Sequence, residues 1–306
     1  MWNYLIQRLF YSIFVLIGIS LIVFITVRLT GDPVAMLLQD GNPSQEDLDE
    51  MRRLLDLDKP VPVQYVNFLA KAVTGDFGRS FRYSTPALGL VLERMPATLK
   101  LTLAAMSVAV LIAFPLGIIS AVSRGSPLDF GVRLVSLIGI SMPNFWLGII
   151  LIIIFGVNLR WLPVSGSGGL KYLIMPAIAL GSALAGTLTR LLRSSMLDVL
   201  SDDYIRTARA KGLSGRMVLT RHALRNALIP VLTILGLQFG LLLGGAVIIE
   251  NVFAWPGVGR LVVTSIGLRD YPVVQASVIL LAVILLTVNL LVDLLYTVVD
   301  PRVTLD

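Results

Sequence analysis

The stretch LTLAAMSVAVLIAFPLGIISAVS, residues 101 to 123, contains no Asp, Glu, Lys or Arg. Such a run is about as long as the roughly 20-residue helix that crosses the hydrocarbon core of a bilayer. The whole chain has the same character, because 56% of its 306 residues are hydrophobic, 14% are charged and the mean hydropathy is +0.85. These values lie outside the range of soluble domains, so we predict a polytopic membrane protein.

Uncharged runs of this kind recur along the chain, and each predicts one membrane-spanning helix. They cover residues 9–27, 101–123, 134–159, 172–189, 226–249 and 271–292. We therefore predict an all-α protein with six transmembrane helices, of which the fourth has the weakest signal. The first run is long for a signal peptide and is followed by VRLTGDP rather than by a small-residue cleavage site, so we interpret it as a retained helix.

Orientation follows from the basic residues of short loops, which are in excess on the cytoplasmic side. The 190–225 loop contains eight Lys or Arg against three Asp. Placing it in the cytoplasm places both termini there as well. The predicted organisation is then a cytoplasmic N-terminus with the first helix (1–30), an extracytoplasmic segment (31–98), a core of helices 2 to 6 (99–299) and a cytoplasmic tail (300–306).

The 31–98 segment is predicted to be helical in two places. PSQEDLDEMRRLLDLDKP, from residue 43, offers Ser44 and Asp47 as a capping box and Pro60 as a stop. VQYVNFLAKAV, residues 63–73, places aromatic residues at helical spacing. These helices either pack on the outer side of the bundle or contact a delivered ligand or its carrier, and the sequence leaves both alternatives open.

The cytoplasmic block DDYIRTARAKGLSGRMVLTRHALRNALIP, residues 202–230, is predicted to form a helix, a turn and a second helix. Ser201 or Asp202 is the candidate N-cap, and Gly212 is the candidate stop. Small residues at 208, 210 and 212 leave a side that another protein could approach closely. A solvated basic loop near anionic lipid headgroups is the competing interpretation.

This block resembles the EAA loop of ABC-importer permeases, in the form found in the dipeptide, oligopeptide and nickel class. Further motifs of the same class follow in the expected order: SMPNFWLGI (141–149), IIENVFAWPGVGRL (248–261) and RDYPVVQA (269–276). RLTGDP (28–33), LLDLDKPVPVQY and GDFGRS are typical of the B-type member of paired permeases. The resemblance covers essentially the whole chain.

The resemblance implies a type I ABC-importer permease of the bacterial inner membrane. The expected partners are a second, homologous permease, two ATP-binding subunits and an extracytoplasmic substrate-binding protein, within membrane lipid and without nucleic acid. The ATPase-coupling candidates are Arg206, Thr207, Ala208, Lys211, Gly212, Leu213 and Ser214. Arg206 and Thr207 stand where the general pattern of this loop has Glu and Ala. The resemblance therefore implies a docking role for the loop, but it does not imply the contacts that the glutamate of the general pattern makes.

The residues also indicate where the energy for transport comes from. The chain has no G-x-x-x-x-G-K-[ST] phosphate loop, and its predicted spans lack buried chains of ionisable residues, Asp293 being the single candidate. We therefore expect no enzymatic activity and no bound cofactor in this chain, with ATP and Mg²⁺ on partner subunits. With no Cys and one His, no thiol or multi-histidine metal site is expected.

Candidate pathway or gate residues lie at helix breaks and deep polar positions. They are Asn144, beside Pro143, then Gln238 and Phe239 in the fifth span, and Trp255 in NVFAWPGVGR. Gln238 and Asn144 either form interhelical hydrogen bonds or line the pathway. Trp255 suits an aromatic anchor at the membrane interface or, by resemblance, an outer gate.

Two other functions compete with an importer as interpretations of this sequence. A hydrolase would need Ser165 or Ser167 beside His222, but the predicted topology places the serines and the histidine on opposite sides of the membrane. A stand-alone channel or secondary carrier would transport without ATPase subunits. The expected substrate is a di- or oligopeptide, and nickel (as a chelate) or glutathione is the alternative.

Overall fold

The structure is a computed structural model that describes residues 2–29, 31, 34, 45–54 and 56–299. Within those ranges the regular structure is helical, apart from one isolated antiparallel bridge between Arg79 and Pro86. The predicted all-α class is confirmed for this part of the chain.

The helices are long where the uncharged runs predicted spans and short between them. In chain order they are α1 (Trp2–Leu29), α2 (Gln45–Leu54), α3 (Val61–Val73), α4 (Ala87–Val122), α5 (Pro127–Ser141), α6 (Asn144–Leu151), α7 (Lys171–Leu200), α8 (Asp203–Ala210), α9 (Gly215–Val252), α10 (Val258–Gly267) and α11 (Tyr271–Val299). Ile152–Asn158 continues α6 as a π-helix, and Val218–Ala223 is a π-helical stretch within α9.

Five helices are long and apolar enough to cross a membrane: α1, α4, α7, α9 and α11. The pair of α5 and α6 with its π-helical continuation also qualifies, but the two parts meet at an angle of 104°. The described residues therefore contain five spans, or six if the bent pair counts as one. The third uncharged run, 134–159, is not one continuous helix.

The break has a local cause at Pro143. Met142 adopts φ −86° and ψ 123°, the extended conformation that a following proline imposes, so α5 ends at Ser141. Pro143 itself has no N–H to continue the helical ladder, and a new helix begins at Asn144. A proline that terminates one helix and precedes the next thus produces the bend.

The chain divides into two compact units. Among the described residues, the first combines the chain up to Thr98 with Pro256–Leu290, and the second combines Leu99–Trp255 with residues 291–299.

In the second unit, α7 is the central helix and packs against α5, α6 and α9. Of its most apolar window, 67% is buried. Small residues permit the close approach: a Cβ on Gly181 would lie 2.4 Å from the carbonyl oxygen of Ala105 in α4, and one on Gly186 would lie 2.5 Å from that of Ser136 in α5. Glycines let helix backbones approach in this way in membranes, where lipid provides no hydrophobic drive for helices to associate.

In the first unit, α3 packs along α1 through aromatic contacts. The ring of Phe24 lies 5.1 Å from that of Tyr65 and 5.7 Å from that of Phe68, and the hydroxyls of Ser20 and Tyr65 are 2.9 Å apart. The helix predicted over 63–73 is confirmed, beginning two residues earlier at Val61. The capping box predicted for α2 lies outside the described residues, since Ser44 and the side chain of Asp47 are not described.

Candidate coupling site

The basic block folds as predicted, as a short helix, a turn and a second helix. α8 begins after Asp202, whose backbone is extended at φ −67° and ψ 147°, and carries Asp203 in its first turn and Arg209 in its last. These charges suit the helix dipole, which favours anions at the N-terminus and cations at the C-terminus.

One face of α8 is buried and the other is open. Ile205 and Ala208 are 0% and 6% exposed, and their spacing of three places them on the same side of the helix. The exposed residues are Asp203, Tyr204, Arg206, Thr207, Arg209 and Ala210. α8 is therefore packed against its own chain along an apolar edge, and its other face is polar, with exposed basic residues.

The turn after α8 is a Schellman motif. Gly212 donates from its N–H to the carbonyl of Arg209 at 3.0 Å, and Leu213 donates to the carbonyl of Ala208 at 3.4 Å. Gly212 has φ +77°, the left-handed conformation that glycine adopts without steric penalty. The space around its Cα is open, so the backbone conformation and not packing requires glycine here.

The second helix is tied back to α8. Ser214 caps its start by accepting from the N–H of Met217 at 3.4 Å, and the π-helical stretch Val218–Ala223 then contacts α8. The Tyr204 hydroxyl donates to the His222 carbonyl at 3.3 Å and accepts from Asn226 Nδ2 at 2.8 Å. α9 continues from this point to Val252, so the capped start of the second helix and a candidate membrane span belong to one helix.

The predicted coupling residues all lie on α8 and the turn that follows it, and two of them, Ala208 and Leu213, are more buried than the rest. Arg206, Thr207, Lys211, Gly212 and Ser214 are exposed and Leu213 is half-buried. Ala208 points into its own chain, so of the small residues expected to admit a partner only Ala210 and Gly212 are accessible.

The pathway candidates lie at different depths in the structure. Asn144 is the first residue of α6 and is half-buried, and Gln238 and Phe239 are half-buried in the middle of α9. Trp255 is only 2% exposed. It is packed inside the protein and not at a lipid interface, so the prediction of an interfacial aromatic anchor is wrong.

Sequence reasoning missed a buried charge cluster between α4, α5 and α7. Asp129 is 1% exposed and accepts from Arg193 at 2.8 and 2.9 Å, from Ser120 Oγ at 2.6 Å and from Gly125 N at 3.0 Å. The two Arg193 contacts form a bidentate ion pair. The available signal was S-x-x-D at 126–129, because Ser126 caps α5 by accepting from the N–H of Asp129.

A second missed cluster joins two of the motifs that carried the family resemblance. Asp270 of RDYP is 1% exposed and accepts from the hydroxyl of Ser80 in GDFGRS and from the N–H groups of Phe81 at 3.1 Å and Arg82 at 3.4 Å. Each motif is visible in the sequence, but their contact is not.

Comparison with known proteins identifies the family to which a chain of this architecture belongs. The sequence profile of the binding-protein-dependent transport system inner membrane component matches residues 113–305, and that of the N-terminal part of such components matches 1–102. The chain belongs to this family. It is an ABC-importer permease and a multi-pass protein of the bacterial inner membrane.

Similar proteins align with the permease over nearly its whole length. It is 43% identical to the oligopeptide transport system permease protein AppB of Bacillus subtilis over 312 residues, covering 98% of each chain. It is also 43% identical to the glutathione transport system permease protein GsiC of Escherichia coli K12 over 304 residues, covering 99% of each.

Solved structures support the fold. A structure of the MetNI methionine ABC transporter aligns with a TM-score of 0.59 at 20% identity, covering 69% of this chain and 96% of that one. An amino acid ABC transporter aligns with a TM-score of 0.53 at 18% identity, covering 70% and 94%. The permease therefore shares the fold of ABC-importer permeases.

Proposed function

We propose that this permease forms half of the translocation pathway of an ATP-driven importer of peptides. The observation that supports this best is the full-length match to a protein named as an oligopeptide permease. The equally similar glutathione permease favours glutathione, itself a small peptide, as the second candidate. The other half of the pathway is a second, homologous permease, and an extracytoplasmic binding protein delivers the substrate.

The coupling site is α8 and its Schellman turn, which dock on an ATP-hydrolysing subunit. Support comes from the division of α8 into an apolar edge held by its own chain and an exposed face around Arg206 and Ala210. The partner subunits bind ATP and Mg²⁺, and their closure displaces the turn. Tyr204 and Asn226 then transmit this displacement to α9.

Docking from the cytoplasm requires that α8 lie inside the cell, as the excess of basic residues in 190–225 predicts. The absence of Cys from the sequence allows a direct test. Ser201→Cys, beside α8, and Thr74→Cys, at the end of α3, each place one thiol at an exposed position. A membrane-impermeant maleimide is expected to label Thr74→Cys in right-side-out vesicles and Ser201→Cys only in inverted vesicles. The opposite labelling pattern would reverse the topology.

The docking role is tested by recovery of partners from native membranes with a tagged permease. Ala210→Arg places a large charged side chain on the open face of α8 without touching its packed edge. Ala70→Arg makes the same change at an exposed position of α3 and is the matched control. We expect Ala210→Arg to lose the ATPase subunits while keeping the second permease, and the control to keep both. Retention of the ATPases by Ala210→Arg would exclude α8 as their docking site.

The substrate class is tested with the complete importer in proteoliposomes. We expect ATP-dependent uptake of trialanine in the presence of the binding protein. Uptake of glutathione alone would assign the second candidate, and uptake without ATPase subunits would replace the importer with a channel or carrier.

A further inference from the structure

A cleft of about 640 Å³ lies in the first unit, between the end of α1, α3, the 76–84 loop and the start of α11. The motifs RLTGDP, GDFGRS and RDYP, which are far apart in the sequence, each contribute to its walls. Aromatic side chains form much of the lining, including Phe24, Phe68, Phe81 and Tyr271. None of the coupling or pathway residues considered above lines it.

Arg28 is the central cation of this cleft. Its guanidinium stacks 3.4 Å from the centroid of the Phe24 ring and lies 5.8 Å from that of Tyr271. Its Nε and Nη2 donate to Gln64 Oε1 at 3.0 and 2.8 Å, and Nη1 donates to the Phe24 carbonyl at 3.2 Å. A guanidinium has five N–H groups, so two of them, one on each terminal nitrogen, have no acceptor among the described residues.

These contacts hold Arg28 in place without neutralising it. Among the residues that the structure describes, no carboxylate pairs with Arg28. Gln64, its main partner, is fixed in turn by donating to the carbonyl of Lys59 at 2.8 Å. The result is a preorganised cation with two donors left for an anion, and paired donors of this kind match the two oxygens of a carboxylate.

Gln275 supplies a second, independent sign of a missing acceptor. Its side chain lines the cleft and is 5% exposed, and its Nε2 is buried with no hydrogen-bond partner among the described residues. A buried donor without an acceptor is unfavourable, so such groups call for an explanation. The terminal torsion of glutamine is broad, which allows this amide to turn toward a ligand in the cleft.

The remaining charges of the lining leave a net attraction for anions. Lys71 and Arg79 join Arg28 as cations. The two acidic residues are already engaged: Asp56 pairs with Lys59 at 2.6 Å, and Asp76 accepts from Gly78 N at 2.9 Å. The bond from Lys59 holds the pKa of Asp56 below its ordinary value, so this carboxylate stays ionised and paired near neutral pH.

We propose that this cleft binds the C-terminal carboxylate of a peptide, with Arg28 and Gln275 as donors and the aromatic walls enclosing the adjoining residues. The inference rests on the proposed function, because it assumes that peptides reach this permease. It assigns to the first unit a ligand site separate from the coupling surface.

The test uses trialanine and trialanine amide, which differ only at the carboxyl end. Their binding to the complete importer in nanodiscs, without the binding protein, is measured by equilibrium dialysis of radiolabelled peptide. We expect the wild type to bind the acid about ten- to a hundredfold more tightly than the amide, as charge-assisted hydrogen bonds predict. Arg28→Gln is expected to abolish that preference, and Arg82→Gln, an exposed arginine that does not line the cleft, is expected to retain it.

Gln275→Met separates a binding role from a structural one. It removes the unpartnered donor while keeping the side-chain volume, so we expect the thermal unfolding midpoint to stay the same or rise while affinity for the acid falls several-fold. Equal binding of acid and amide by the wild type, or unchanged affinity in Gln275→Met and Arg28→Gln, would overturn the inference. Uptake assays on the same importer variants, reconstituted in proteoliposomes with the binding protein, distinguish the two failures. Uptake of trialanine with no effect of the cleft variants rejects only the cleft, whereas no peptide uptake rejects the proposed substrate class.

Discussion

Two spans of this permease, α7 and α1, contrast in hydropathy and burial: the less apolar helix, α7, is the more buried one. The most apolar window of α7 has a mean hydropathy of 1.5 and is 67% buried, whereas that of α1 has 2.6 and is 17% buried. A helix that faces lipid must be apolar on most sides, but a helix enclosed by other helices can carry small and polar residues. The low hydropathy of α7 therefore accompanies its central place in the second unit.

The side chains of the two helices follow the same division. α7 brings Gly181 and Gly186 against neighbouring backbones and ends near Arg193, which pairs with Asp129. α1 instead exposes large apolar side chains such as Phe10 and Phe14, at 68% and 72%. Matched substitutions at buried and exposed positions test whether the two helices differ in this way.

The largest effect is expected at the ion pair that fixes the end of α7. Asp129→Asn leaves Arg193 without its counter-charge in a mostly buried position, and breaking such a pair costs about 3 kcal/mol. We expect a clearly lower thermal unfolding midpoint of the purified permease in detergent. The control Asp203→Asn removes an exposed ion pair with Arg206, whose loss is worth at most about 1 kcal/mol. Equal shifts in the two variants would mean that burial does not distinguish these pairs.

The next effect concerns the close approach of α7 to α4. Gly181→Ala forces a Cβ to within 2.4 Å of the Ala105 carbonyl oxygen, an overlap that backbone must relieve at a cost of about 1–3 kcal/mol. Gly18→Ala in α1 meets nothing within 4 Å and should be neutral or slightly stabilising, since alanine favours helix. Fluorescence-detected gel filtration after a temperature series measures both, and a destabilising Gly18→Ala would contradict the assignment of α1 as the loosely packed span.

A smaller effect is expected where α8 is anchored beyond the end of α7. Tyr204→Phe removes the hydrogen bonds to His222 and Asn226, worth about 1 kcal/mol. Amide hydrogen exchange in 203–213 should accelerate while exchange in α7 is unchanged. Tyr83→Phe, at a half-exposed tyrosine of the first unit, is the control and should alter neither region.

The smallest effect is expected on the exposed face of α1. Phe14→Leu replaces one apolar side chain with another at a position that is 72% exposed. The free energy of unfolding of the isolated permease should therefore stay within about 0.5 kcal/mol of the wild type, with no clear change in its thermal unfolding midpoint. A larger loss in the isolated chain would show that this face is packed after all, and α1 would then resemble α7.

Local features were the predictable part of this structure. The spans follow from runs of uncharged residues, and the end of α8 follows from Gly212, whose left-handed backbone depends on its own residue type and immediate neighbours. Pro143 marked the break between α5 and α6 because it restricts the residue before it. The angle of 104° and the burial of Trp255 were not predictable, since both depend on what the helices pack against.

The multiple membrane crossings and the basic helix and turn between two spans can be predicted from the amino-acid order alone, because hydropathy, charge and turn chemistry act over a few residues. Helix packing, in contrast, places the span with the weakest signal at the centre of the second unit. It also brings Arg193 to Asp129 across 64 residues and Ser80 to Asp270 across 190. Such contacts depend on helix packing, and any polar residue near a helix end has many possible partners until that packing selects one.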